Sequence, residues 1–136
     1  MGGSDLARLE ELLVRSVHSD GEADRFFLSR LDDAALARDL LEIAEESESG
    51  DARMAGAYWI SQCAPSLLRP LEGRLLGLMD CGWDSVAVHA MMALANIRSR
   101  AALEKMIDEK IRPCLYWEAA ALRCYLPPAE EQEEPS

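Results

Sequence analysis

Apolar residues recur along this chain at the spacing of one helix face after another. Leu6, Leu9, Leu12, Leu13 and Val17 line the first such face behind Ser4 as a candidate N-cap, with Asp5, Glu10 and Glu11 at its start or opposite side. The polar run Ser19-Asp20-Gly21-Glu22 ends it. A short helix is predicted from about Asp24 to Leu31. Another runs from about Asp33 to Glu46, with Leu36, Leu40, Ile43 and Ala44 as its buried stripe. Ser47-Glu48-Ser49-Gly50 reads as a loop. No segment shows the period-two alternation and β-branched enrichment of a strand, so the expected fold class is all-α.

Beyond this point the pattern repeats. Asp51-Ala-Arg-Met-Ala-Gly-Ala-Tyr-Trp-Ile and Asp84-Ser-Val-Ala-Val-His-Ala-Met-Met-Ala both open on an Asp suited to capping, and Tyr116-Trp-Glu-Ala-Ala-Ala-Leu-Arg-Cys-Tyr supplies a third copy. Superposition places Ala57, Ala90 and Ala120 at one position, where a small side chain lets helices approach closely. The partner helices align as well: Leu36, Leu40 and Ala44, then Leu71, Leu75 and Met79, then Leu103, Ile107 and Ile111. Each unit is expected to be a pair of antiparallel helices joined by a turn such as Ala64-Pro65-Ser66 or Ile97-Arg98-Ser99, and stacking buries what one pair cannot. Pro70 and Pro113 suit first-turn positions, predicting helix starts near Arg69 and Arg112.

The stretches Arg53-Met-Ala-Gly-Ala-Tyr-Trp-Ile and Val86-Ala-Val-His-Ala-Met-Met-Ala-Leu, with Trp117-Glu-Ala-Ala-Ala-Leu as a weaker match, resemble the HEAT repeat and its shorter bacterial relatives. An Arg or Val there precedes an Ala-rich first helix. The ankyrin Thr-Pro-Leu-His signature is absent, and the tetratricopeptide pattern does not fall into register. The resemblance implies an α-solenoid of about three HEAT-like helix pairs with an extra N-terminal helix. In that organisation residues 1–126 form one helical domain: 1–22 the N-terminal helix and loop, 23–50 a degenerate first pair, and 51–126 the clearer repeats. Residues 127–136, with two prolines at the start and four acids, are expected to be a disordered acidic tail.

Charge narrows the functional classes. The 136 residues carry a net charge of −11, which disfavours phosphate backbones and anionic lipid and directs attention to a basic protein partner. The charge is uneven: residues 1–51 hold fourteen acids against five bases, whereas residues 52–126 are slightly basic. Met-Gly-Gly-Ser-Asp-Leu lacks the basic-then-apolar pattern of a signal peptide, and no apolar run approaches the ~20 residues of a membrane helix, so a cytoplasmic location is expected. Cys63, Cys81, Cys114 and Cys124 form no C-x-x-C pair and read as small hydrophobes in a reducing compartment.

Candidate chemistry is sparse. Asp20, Glu22 and Asp24 flank Gly21, but a calcium loop needs glycine sixth rather than second, so a solvated turn is expected. His18 and His89 lie on different helices without ligand spacing, and Gly-x-Ser-x-Gly and phosphate-loop motifs are absent. No enzymatic activity, metal or cofactor is therefore expected. Asp39, Glu42, Glu46, Glu72, Glu104 and Asp108 fall off the buried stripes of the partner helices and form a candidate acidic strip. Trp83, in the turn before the second repeat, is the candidate exposed aromatic. In size and charge the chain resembles bacterial immunity proteins, which cover the active sites of basic toxins. The expectation is a non-catalytic protein-binding module of that kind, with no nucleic acid or membrane partner. The alternatives are an adaptor for a larger complex, a homodimerising helical bundle, and a small enzyme or ligand-binding protein with a pocket near His89.

Overall fold

A computed structural model describes residues 3–108 of the chain. The third repeat copy, Pro113, Cys114, Cys124 and the acidic tail lie outside these residues, as do the side chains of Leu103, Ile107 and Asp108. The described chain is all-helical. Its elements are α1 (Gly3–Val17), α2 (Gly21–Leu28), α3 (Ala34–Glu46), α4 (Gly50–Gln62), α5 (Pro65–Leu68), a 3₁₀ turn (Arg69–Leu71), α6 (Glu72–Leu78), α7 (Asp84–Asn96) and α8 (Arg100–Asp108).

Short polar side chains start α2, α3, α4 and α8 by accepting the orphan amides of the first turn. Asp20 accepts from the amides of Glu22 and Ala23, and Asp33 accepts from those of Ala35 and Leu36. The run around Gly21 is thus a helix start, and the short helix begins and ends about three residues earlier than the spacing predicts. Ser49, not Asp51, caps α4, while Asp84 is the first residue of α7 behind Trp83. Both acids still sit in a first turn, where the helix dipole favours negative charge.

Helix α4 lies at the centre, in contact with α1, α3 and α7, and α6 packs on α7. Helix α1 also touches α2 and α3, so it is integrated into the packing. Small residues permit this crowding. Ala52, Ala55 and Ala57 are buried on α4, and Ala87, Ala90, Ala93 and Ala95 are buried on α7. Ala57 and Ala90, which the sequence superposition pairs, are both interior. Leu36, Leu40, Ala44, Leu71, Leu75 and Met79, the predicted partner stripe, are also in the core.

The second partner segment departs from a simple helix. Pro65 opens α5 instead of lying in a loop, and Pro70 sits in the 3₁₀ turn that separates α5 from α6. Proline has no amide hydrogen to continue the α-helical ladder, so the segment breaks where a continuous helix would need that donor.

At Gly56 the backbone of α3 comes close to α4. A Cβ built there would lie 3.0 Å from the Leu40 carbonyl oxygen, whereas one built at Gly73 meets nothing within 4 Å. Gly56→Val is expected to lower unfolding stability by about 2 kcal/mol through overpacking, and Gly73→Ala to raise it by about 0.5 kcal/mol through lost unfolded-state entropy. Urea denaturation midpoints of the two variants check both signs.

Candidate functional site: an acidic groove between α1 and α3

The C-terminal end of α3 carries Glu42, Glu45 and Glu46, and its last turn has no basic residue. Carboxylates at a helix C-terminus oppose the helix dipole, each by about 0.3–1 kcal/mol. The structure compensates from outside the helix. Arg53, reaching back from α4, donates from Nε to the Ala44 carbonyl (3.1 Å), from Nη2 to that of Glu45 (2.8 Å) and from Nη1 to that of Ser47 (3.4 Å). Its guanidinium also lies 5.0 Å from the centre of the Trp83 ring. Arg74 on α6 meets Glu45 in a two-pronged pair, Nη2–Oε1 at 2.6 Å and Nε–Oε2 at 3.2 Å. That bond holds the Arg74 guanidinium above its ordinary range, and the fields of Glu42 and Glu46 add to the effect.

Glu45 is thereby neutralised, while Glu42 and Glu46 form no ion pair among the described residues. Together with Glu10, Leu6, Ile43 and Ser47 they line a groove of about 270 Å³. Glu10 comes from α1, and the buried Ser47 hydroxyl donates to its carboxylate. The same hydroxyl accepts the Ser49 amide at 3.1 Å, which fixes the turn into α4. Three carboxylates with an apolar side wall of Leu6 and Ile43 can receive a cationic side chain and its aliphatic stem.

The other members of the predicted strip are dispersed. Asp39 borders a separate depression of about 240 Å³, with Asp5, Arg8, Leu9, Leu12, Phe26 and Leu36. Glu72 lies outside the groove; it accepts the Ser99 hydroxyl at 2.5 Å, and Ser99 caps α8 by accepting the Ala102 amide. Glu104 is exposed on α8, next to Lys105 and its pair with Asp80 at 2.7 Å. Asp108 ends α8, its side chain outside the described residues. Trp83 is 41% exposed, as its position in a turn suggested. Its ring nevertheless covers Gly50, where a Cβ would come within 2.8 Å of it.

A third cavity, of about 320 Å³, lies at His89. It is lined by Ser16, Val17, Asp24, Met54, Ala55, Tyr58, Trp59 and His89, without a cysteine. Cys63 is buried elsewhere, its sulfur 3.4 Å from the Trp59 carbonyl oxygen, and burial pushes its thiol up to about 11. Sequence reasoning missed Glu10, which joins the groove only through tertiary packing, and Asp24 and Tyr58 at the third cavity.

No family model, characterised protein or solved structure matches the chain. Among the described residues no group of three or more His, Cys, Asp or Glu side chains is placed to hold a metal ion, and no helix is long and apolar enough to cross a membrane.

Asp39 supplies a test of the burial assignments. Partial burial among apolar side chains raises its pKa, against the opposing pull of Arg38. A carboxyl raised in the folded state binds its proton more readily there than in the unfolded chain. Its contribution to stability is therefore fully present below the unfolded value near pH 4 and is lost as pH rises through the folded value. Asp39→Asn should stabilise the protein at pH 7, with the gain shrinking toward zero below pH 4. Thermal melts at the two pH values check this.

Proposed function

We propose that this chain is a non-catalytic, HEAT-like helical-repeat module that binds a basic protein partner through the α1/α3 groove. The observation that carries the reading is the convergence of Glu10, Glu42 and Glu46 in one groove at the C-terminal end of α3, with Glu42 and Glu46 in no ion pair among the described residues. Supporting the repeat assignment, α1, α4 and α7 follow one another in side-by-side contact, with α3 against α4 and α6 against α7. Such an arrangement is compatible with a stacked solenoid of about three helix pairs. The packing suggests α1 as the outer helix of the first pair, in place of an appended extra helix.

An anionic groove accelerates encounter with a cationic partner, and salt screens the attraction. In its most specific form the proposal is an immunity-type inhibitor that covers the active site of a basic toxin. Size and charge support that form: 136 residues with a net charge of −11. The dispersal of Asp39 and Glu72 narrows the binding set to Glu10, Glu42 and Glu46, with Glu104, Asp108 and Trp83 as more distant candidates.

Capture from a native-host lysate by the immobilised full chain, at about 50 mM and about 300 mM salt, tests the reading. One basic protein should be retained at low salt, released at high salt, and lost from Glu42→Lys/Glu46→Lys. Retention that is indifferent to both salt and charge reversal contradicts it.

A further inference from the structure

The cavity at His89 has a composition unlike that of the acidic groove. Its walls are aromatic. The Tyr58 ring stands at 77° to that of Trp59, with centroids 5.0 Å apart, and at 83° to that of His89, with centroids 5.5 Å apart. Three rings of differing orientation thus border one space of about 320 Å³, room for about ten waters and at the lower end of ligand-pocket sizes.

The walls are braced from behind. Trp59 is 5% exposed and stacks on the buried Phe27 at 5.1 Å, with 24° between the planes. Its indole Nε1 donates to the Ser16 hydroxyl at 3.3 Å, and that hydroxyl donates to the Leu13 carbonyl at 2.8 Å. Tyr58 is 38% exposed and forms the open side.

Among the lining residues Asp24 is the one acidic side chain. It is half-buried in the first turn of α2 and forms no ion pair among the described residues. Aromatic faces attract cations through their quadrupoles, and a carboxylate at the same cavity supplies the counter-charge. The polarity of Ser16 and the softness of Met54 suit the remainder of a small amphipathic ligand.

We propose that this cavity is a binding site for a compact organic cation, an ammonium or guanidinium group on a small carbon skeleton, held by Tyr58, Trp59 and Asp24. The site is separate from the α1/α3 groove and does not depend on the function assigned to that groove. The cation can come from a free amine or from a basic side chain presented by a peptide.

The test uses the full ¹⁵N-labelled chain titrated with phenethylamine and agmatine, with phenethyl alcohol and phenylacetate as uncharged and anionic controls. A capped Gly-Arg-Gly tripeptide is the peptide arm. The Trp59 indole N–H resonance and the Asp24 amide should shift saturably with at least one amine, and at least tenfold more weakly with either control. Asp24→Asn and Tyr58→Ala should each weaken amine binding at least tenfold, Tyr58→Phe should retain it, and Glu42→Lys/Glu46→Lys should leave it unchanged. Tripeptide binding as tight as that of agmatine supports the site as a side-chain socket. Preference for the free amine supports it as a small-molecule site. Absence of a saturable shift up to millimolar amine, equal binding of phenethyl alcohol, or full affinity in Asp24→Asn with an unchanged thermal melt overturns the proposal.

Discussion

Arg53 is the side chain on which the arrangement of the central helices turns. From α4 it satisfies three carbonyl groups at the end of α3, and its guanidinium faces the ring of Trp83 in the turn before α7. A helix end leaves four carbonyls without intrahelical donors, and α3 has no basic residue of its own in its last turn. One cation therefore caps α3, offsets its dipole and fastens the entrance of α4 to that of α7. The acidic groove follows from this fastening. Arg53 at the α3 carbonyls and Arg74 paired with Glu45 set positive charge against a helix end that carries Glu42, Glu45 and Glu46.

The second constraint is the small-residue surface of α4. Alanines at 52, 55 and 57, with Gly56 against the Leu40 carbonyl, let three helices crowd one. That crowding brings Trp59 from α4 against Phe27 of α2 and Ser16 of α1, and so shapes the aromatic cavity. Groove and cavity both draw on α1, and neither is formed by consecutive residues.

This explains what could be read from the chain and what could not. Helix α3 was legible because Asp33 caps it and its apolar stripe keeps one period throughout. Ala57 and Ala90, paired by superposing two similar stretches of sequence, are both buried, so their small size was a legible sign of close helix packing. The start of α4 was less so, since Ser47, Ser49 and Asp51 all offer capping oxygens, and the choice of Ser49 is local geometry that composition does not encode. Pro70 signalled a helix start, but the 3₁₀ turn around it follows from the α5 segment that Pro65 already begins. At the site, the carboxylates of α3 were visible as an off-stripe run. Glu10 was not, because its membership depends on a bond to Ser47, 37 residues away. Glu72 carries the same sequence signal as Glu42, and only its tertiary place, outside the groove and bonded to Ser99, sets it apart. Trp83 was correctly placed in an exposed turn, whereas its cover over Gly50 needs three dimensions to see.

The proposed basic protein partner would be recognised by this groove rather than by the acidic surface as a whole. Chemical-shift mapping of the ¹⁵N-labelled chain with a hexalysine peptide at low salt addresses it directly. The largest saturable amide shifts are expected at Leu6, Glu10, Glu42, Glu46 and Ser47, with weaker effects at Asp39 and Glu104. Shifts spread over all acidic residues in proportion to their exposure, or centred on α7 and α8, would contradict it.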